Sequence, residues 1–347
     1  MRILEINSQL AQAQDLSLEE IRFAMSEILI GRAGDEEIKG FLLGLKNKGE
    51  RPEEVIALLE VLLENATLVD VPERAVDVVG TGGDGFNTIN ISTSAAILTT
   101  AAGARVVKHG NRAASSASGA ADFLEALGID ISLGAKELAE CVRKIGIGFA
   151  FAPQFHPAMK FAAAARRSLG VPTVFNILGP LANPAQPKAI AIGVARAEMF
   201  ALVAEVLARR GFEGFVFRGD EGLDELSIAG SSSIFQVQGG HYELFTFDPR
   251  NLGIELESLD EIRGGDASFN ARVAESVFSG KAGPAREAIL LNAAIAIAAF
   301  KGDFNLPLET QIANGYVLAK AGIDSGRALE LVQRWRELSN ELAKSSL

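Results

Sequence analysis

The sequence predicts an α/β protein: a small N-terminal all-helical domain, residues 1–70, followed by a larger α/β domain, residues 71–347, with a mostly parallel central sheet flanked by helices. Three observations predict it. Apolar residues recur at helical spacing, without a strand signal, from Ser17 to Thr67. After the Asp70–Glu73 linker the pattern changes to repeated strand-then-helix alternation, the signature of parallel strands joined by right-handed crossovers. Two glycine-rich loops, Gly80-Thr81-Gly82-Gly83-Asp84 and Lys108-His109-Gly110-Asn111-Arg112 with its Ser115-Ser116 tail, each follow a short β-branched run and precede a helical stretch. That places both loops at the carboxyl edge of a sheet, where open α/β proteins bind ligands and where helix N-termini favour phosphate.

In the helical domain, Leu18, Ile21 and Met25 share one face, followed by Ile38, Leu42 and Leu43, then Val55, Leu58, Leu59, Leu62 and Leu63. Gly31, Gly34 and the Lys48–Pro52 stretch punctuate them, with Pro52 near a helix start. These apolar faces can close on each other or on a second copy of the chain, and the pattern fits either. Beyond the linker, Val76–Val79 reads as a strand, Ser92–Ala102 as a helix capped by Ser92 or Thr93, and Ala104–Val107 as a strand. Helices follow over Ala120–Leu127 and Ala135–Ile145, ended by Gly128 and Gly146. Phe149–Phe151 is a third strand and Pro157–Leu169 a helix.

The proline-rich Val171–Pro187 segment reads as a structured loop near the domain junction. Alternation then resumes with a strand at Ala189–Val194, a helix at Glu198–Arg210 and a strand at Gly214–Phe217. Ile234–Val237 and Tyr242–Phe247 form an antiparallel pair turned through Gly239-Gly240. Two or three helices close the chain, among them Asn270–Phe278 and Ala285–Phe300.

Composition excludes several classes. A chain of 347 residues with 48% hydrophobic and 22% charged residues buries a sizeable core and is not disordered. Net charge of −11 argues against a nucleic-acid-coating surface, although a cationic pocket within an acidic protein is compatible with it. The single cysteine, Cys141, cannot form an internal disulfide and reads as core, which fits a reducing compartment. No signal peptide is visible from Met1 to Leu18. The longest apolar run, Ala288–Phe300, is interrupted by Asn292 and falls short of the roughly 20 residues a membrane span needs. A cytoplasmic protein without membrane or nucleic-acid partners is the expectation.

The chemistry-bearing residues cluster in loops. Lys108, His109 and Arg112 offer three cations within five residues, a point charge and a bidentate fork suited to a pyrophosphate. Asp84 sits awkwardly beside phosphate unless a metal ion or a ribose hydroxyl intervenes. Asp224-Glu225, in the loop from Gly219 to Glu225, suit Mg²⁺, which is usually held by one or two carboxylates plus substrate phosphates. Of Arg166-Arg167, one snorkels and the other can meet a carboxylate in the pocket. His156 and His241 lack partners at metal-ligand spacing and read as structural. No nucleophile elbow, HExxH or paired-Cys motif is present, which leaves phosphate, Mg²⁺ and ribose.

In order and spacing, GTGGD, the run Asn90 to Thr93, KHGNRAASS, the FNILGPLANP block from Phe175 to Pro184, and GLDELS closely resemble the anthranilate phosphoribosyltransferase family along the length of the chain. The resemblance implies a nucleoside-phosphorylase-like phosphoribosyltransferase fold, with part of 160–187 packing near the helical domain and that domain mediating a homodimer. It implies transfer of the phosphoribosyl group of 5-phosphoribosyl 1-diphosphate (PRPP) to the anthranilate nitrogen, in tryptophan biosynthesis, with Mg²⁺ and without a covalent or acid/base residue. Carried over by position, PRPP meets Gly80, Gly82, Gly83, Asp84, Thr88, Asn90, Ile91, Ser92, Thr93, Lys108, His109, Gly110, Asn111, Arg112, Ala113, Ala114, Ser115, Ser116 and Ala120. Anthranilate meets Gly80, Asn111 and Arg166, and Mg²⁺ involves Ser92, Asp224 and Glu225. Ala117 and Ala120 depart from the family pattern, which often has Lys and Ser there. A pyrimidine nucleoside phosphorylase of the same fold is the nearest competitor, but its second loop resembles Lys-His-Ser-Gly, unlike Lys108-His109-Gly110-Asn111. A non-catalytic, nucleic-acid-binding relative of the fold is the other alternative, disfavoured by the net charge and the Asp224-Glu225 pair.

Overall fold

A computed structural model describes residues 2–71, 73–113 and 117–345. The chain opens with α1 (Ile3–Leu10), α2 (Leu18–Leu29), α3 (Asp35–Lys48) and α4 (Pro52–Glu64). Ser17 starts α2 with a reciprocal cap: its hydroxyl accepts the Glu20 N–H at 3.2 Å, and the Glu20 carboxylate accepts the Ser17 N–H at 2.8 Å. Helix α1 goes beyond the sequence reading, which found no signal peptide from Met1 to Leu18 and placed no individual helix before Ser17. Its buried Ile3, Ile6 and Leu10 share one face.

Next come β1 (Val76–Gly80), α5 (Ile91–Ala101), β2 (Val106–Gly110), α6 (Ala120–Ala126), α7 (Ala135–Ile145), β3 (Ile147–Phe151) and α8 (Ala152–Phe155). A 3₁₀ segment, Pro157–Ala162, leads into α9 (Ala163–Leu169), and α10 (Phe175–Leu181) follows. Then come β4 (Ala189–Gly193), α11 (Ala197–Arg209), β5 (Glu213–Gly219), β6 (Ser232–Gln238) and β7 (His241–Phe247). Helices α12 (Ala267–Phe278), α13 (Pro284–Lys301), α14 (Leu308–Asp324) and α15 (Arg327–Ser345) close the chain, four where two or three were expected.

Three further local readings change. The Val171–Pro187 segment contains a helix, α10, despite Pro180, because burying Phe175, Ile177, Leu178 and Leu181 outweighs the backbone hydrogen bond that proline forfeits. The stretch Pro157–Leu169 begins as 3₁₀ turns rather than as one continuous α-helix. Neither Ser92 nor Thr93 caps α5; Asn90 occupies that position and makes no side-chain cap bond, since its amide is committed elsewhere.

The seven strands are ordered β3-β2-β1-β4-β5-β6-β7, parallel from β3 through β5 and antiparallel beyond. Strand alternation divides the core. Val76 and Val78 of β1, Ala189 and Ala191 of β4, and Phe215 and Phe217 of β5 face a layer that includes α5, α13 and α14. Val79, Ile190, Ile192 and Val216 face the other layer, in one continuous apolar cluster with α1 to α4 and α9 to α11. The N-terminal helices therefore share their core with one face of the sheet: α9 packs on α3, and α10 and α11 pack on α4.

Helix α13 runs through the opposite layer and crosses α14 at Gly315, where an added Cβ would lie 2.2 Å from the Ala294 carbonyl oxygen. Because that neighbour is backbone, Gly315→Ala is expected to force the helices apart and cost about 1–3 kcal/mol, read as a lowered urea midpoint with an unchanged m-value.

Candidate active site

The winding of the sheet reverses between β1 and β4, so their carboxyl ends flank a crevice at the topological switch point. Both strands end in glycine, with Gly80 paired to Gly193. The acidic loop crosses directly over them. A Cβ on Gly193 would lie 1.6 Å from the Asp224 carbonyl oxygen, and one on Gly80 would lie 2.4 Å from Asp224 Oδ2. The Gly80–Asp84 loop is tied down on both sides: Thr81 N–H donates to the Gly193 carbonyl at 3.0 Å, and Thr81 Oγ1 accepts the Ala195 N–H at 3.1 Å. Gly82 and Gly83 take φ of 67° and 79°, turning the backbone so that Gly82 N–H donates to Asp224 Oδ2 at 2.6 Å.

Asp224 and Glu225 are each only 8% exposed. Burial, joined by the adjacent Asp84 carboxylate, which also hydrogen-bonds to it, pushes Asp224 up to about 7. Two carboxyls in contact need a shared proton or a cation between them. Burial and the charge of Asp224 hold Glu225 well above the usual carboxylate range, opposed by Lys108 and by a hydrogen bond from the Ser92 N–H in the first turn of α5. Among the described residues no group of three or more His, Cys, Asp or Glu is arranged to enclose a metal. A crowded acidic pair without a complete protein cage fits Mg²⁺, which keeps waters and takes further ligands from substrate phosphates.

The second loop differs from its reading as a three-cation cradle, because successive side chains of β2 point to opposite faces of the sheet. Lys108 is 2% exposed; its Nζ donates to the Val78 carbonyl and lies 3.4 Å from Ser92 Oγ, beneath the acidic pair. Burial lowers its pKa, while Asp77, Glu225 and Asp224 raise it. His109 is also buried, with Nδ1 2.9 Å from the Gly179 carbonyl oxygen and its ring 5.2 Å from that of His156. Burial takes it down to about 3, so it is a neutral imidazole and not a cation. Arg112 remains exposed, paired with Asp122 at 2.8 Å and Glu125 at 2.5 Å. Asn111 Oδ1 accepts the Arg112 N–H at 2.7 Å, and Ala113 N–H donates to Asp122 at 3.0 Å. Gly110 ends β2, and Ala120, at the start of α6, lies 3.1 Å from where a Gly110 Cβ would sit. The expected contacts at Ala114, Ser115 and Ser116 fall outside the described residues.

Thr88 forms an isolated bridge with Arg263, and Ile91 and Thr93 are buried. The Asn90 amide is committed on three sides. Oδ1 accepts from Ser118 Oγ at 3.0 Å and Asn270 Nδ2 at 2.8 Å, and Nδ2 donates to the Ser118 carbonyl at 3.1 Å. Arg166 is the member of the arginine pair that turns inward: partly buried, 5.5 Å from the Phe175 ring centre, with no acidic partner among the described residues, while Arg167 is exposed.

The helical bundle domain of the glycosyl transferase family matches residues 4–66, and the a/b domain of that family matches residues 72–329. The chain is 52% identical to the anthranilate phosphoribosyltransferase of Rhodococcus jostii, over 97% of this chain and 93% of that one. It is 49% identical to that of Nocardia farcinica, over 96% and 98%. The chain belongs to the anthranilate phosphoribosyltransferase family. The fold agrees with a solved anthranilate phosphoribosyltransferase from Thermus thermophilus, at TM-score 0.88 and 37% identity, covering 96% of this chain and 99% of that one. It agrees equally with the Saccharomyces cerevisiae enzyme in complex with PRPP and Mg, at TM-score 0.88 and 29% identity, covering 98% of both chains.

In this member of the anthranilate phosphoribosyltransferase family, several polar residues to which the sequence reading gave no role lie buried beneath this crevice. Asp77, inside the apolar strand β1, is 1% exposed and pushed by burial up to about 6. It accepts from Asn183 Nδ2 at 2.8 Å and from the His109 N–H at 3.2 Å. The available signal was a lone carboxylate within a β-branched strand. Asn270 and Asn292 carried a similar signal, as amides in helices that are otherwise apolar on their buried faces. His156 is structural as read, with Nε2 2.8 Å from the Ala182 carbonyl oxygen.

The neutral His109 sets a pH dependence. Its folded value of about 3 lies below the ordinary 6.5, so the unfolded chain takes up a proton first. The associated stability is complete above pH 6.5 and is lost as the pH falls towards 3. Asn at this position retains an N–H for the Gly179 carbonyl but does not titrate. His109→Asn is therefore expected to flatten the decline in urea midpoint between about pH 6.5 and 4, relative to the wild type.

Proposed function

We propose that this enzyme transfers the phosphoribosyl group of PRPP to the amine of anthranilate, releasing pyrophosphate, at the crevice between β1 and β4. The observation that carries this reading is the buried Asp224-Glu225 pair, pinned by the Gly82 and Ser92 N–H groups across two glycine-ended strands. Such a pair calls for a cation, and Mg²⁺ held by one or two carboxylates completes its coordination with water and substrate phosphates. PRPP lies along Gly80–Asp84, Thr88, Asn90–Thr93 and Lys108–Ala113, and Ser92, Asp224 and Glu225 hold Mg²⁺. When bound, that ion supplies positive charge that favours departure of the diphosphate.

An aromatic amine is neutral at pH 7 and nucleophilic without a base, so the chain need only hold it in line with the ribose C1. Arg166, without an acidic partner among the described residues, takes the anthranilate carboxylate in a charge-assisted pair, and Gly80 and Asn111 bound the ring. The buried, neutral His109 is not a source of protons near pH 7. The committed amide of Asn90 holds the loop around Ser118 against α12, so its contribution is to place backbone rather than to offer a free side chain. Orientation of two bound substrates can supply roughly 7–11 kcal/mol of a barrier, which accommodates a site without a covalent nucleophile.

Exposed Leu4 and Leu18 on the N-terminal helices, with exposed Ile30 just after α2, support pairing of this domain with a second copy. No helix among the described residues is long and apolar enough to cross a membrane. The lone Cys141, buried and without a disulfide, supports the reading of a reducing, cytoplasmic compartment.

Purified protein mixed with PRPP, anthranilate and MgCl₂ is expected to consume anthranilate, followed as loss of its fluorescence; no loss over a wide concentration range overturns the reading. Losing one charge-assisted pair costs about 1.5–3 kcal/mol, so Arg166→Ala is expected to raise the KM for anthranilate by roughly 10- to 100-fold while changing that for PRPP far less. Equal effects on both substrates would assign the carboxylate to another residue. Asp224→Asn is expected to raise the Mg²⁺ concentration needed for half-maximal rate.

A further inference from the structure

Asn292 interrupts the longest apolar run of the sequence, and no part of the reaction described above employs it. It sits on α13 between Leu291 and Ala293, and from Ala288 to Ala299 every other residue of this buried stretch is apolar. Packing alone would favour Leu or Ala there, since an amide is a poorer helix former and is costly to bury without partners. Asn292 is 1% exposed, and both of its polar atoms are engaged. Oδ1 accepts the Leu226 N–H at 2.8 Å, and Nδ2 donates to the Leu226 carbonyl at 3.0 Å and to the Ala288 carbonyl at 2.9 Å.

The amide thus grips both polar groups of the residue that follows Glu225. The other end of the acidic segment is held by the Leu223 carbonyl, which accepts the Gly219 N–H at 2.9 Å. Leu223 and Leu226 are themselves buried, at 0% and 1% exposure. Between these anchors, Asp224 and Glu225 have little freedom to move away from Gly82 and Ser92.

We propose that Asn292 is a positioning residue for the metal, acting through the backbone of Leu226 to hold Asp224 and Glu225 in place. This rests on the phosphoribosyl-transfer reading and extends it to a residue in the core of the opposite layer. The amide does not contact the cation or PRPP; it removes the loop motion that would otherwise have to be frozen when the cation binds.

The test uses Mn²⁺ as an EPR-visible ion, titrated into the full-length protein with PRPP and without anthranilate, so that binding is read without turnover. Asn292→Leu keeps the branched shape at a somewhat larger volume, and Asn292→Ala leaves room for a water to bond Leu226. Whichever variant folds, by circular dichroism and thermal unfolding, decides the matter. Loss of an outer-shell partner costs about 10- to 100-fold in metal affinity, and a weakening of that order is expected, with the anthranilate KM at saturating metal within about twofold of wild type. In an Asp224→Asn background, the same substitution is expected to weaken Mn²⁺ binding by less than about twofold further, as for residues acting through one another. A folded variant that binds Mn²⁺ as the wild type does, or that loses anthranilate and metal alike, overturns the proposal. Failure of the wild type to bind Mn²⁺ with PRPP, or to consume anthranilate, would overturn the underlying reading instead.

Discussion

The close approach of Asp224 to the glycine ends of β1 and β4 is the constraint on which the rest of the site depends. Two strands that stop in glycine leave space for a third segment to lie against their backbones, and no side chain larger than hydrogen fits at Gly193 without displacing it. The acidic pair is thereby buried at the switch point of the sheet, where carboxylates repel one another and water is scarce. A site of this kind stores unfavourable electrostatics that a cation and its phosphate ligands relieve on binding.

Such a pair persists only if the surroundings compensate it, and the compensation comes from within the sheet. Lys108 reaches beneath the pair from β2, while on the other face of the same strand His109 remains neutral and bonds to α10. Asp77, Asn183 and the His109 backbone form a second buried polar group under β1 and β2. The two groups fix β2 from both faces, which sets where the loop from Gly110 to Ala113 emerges. The charge that loop offers on its exposed side is that of Arg112, already paired with Asp122 and Glu125.

The division into a helical part and an α/β part is visible in the chain order but not in the packing. Helices α1 to α4 share one apolar cluster with α9 to α11 and a face of the sheet, so the helices around Arg166 rest on the N-terminal bundle. Movement of that bundle would therefore carry α9 with it. On the opposite face, α13 contributes both apolar core and the amide that grips the acidic loop.

By itself the sequence determined the fold class and the positions of the five motifs, because periodicity, glycine spacing and motif order are local properties of the chain; between Arg166 and Arg167 those local patterns left the choice open, and only the family resemblance singled out Arg166. The sequence also carried the two glycine loops and the Asp224-Glu225 pair that the structure brings together. Tertiary structure alone decided which of the charged residues are available. Lys108, His109 and Arg112 read alike as cations in a loop, yet strand alternation buries the first under the acids and the second in the opposite layer, and acidic neighbours on α6 engage the third. Asp77, Asn90, Asn270 and Asn292 likewise gain their roles from partners far away in sequence, in contacts that no local pattern encodes. Burial and long-range pairing depend on how layers stack, and that information arises only when the chain has closed on itself.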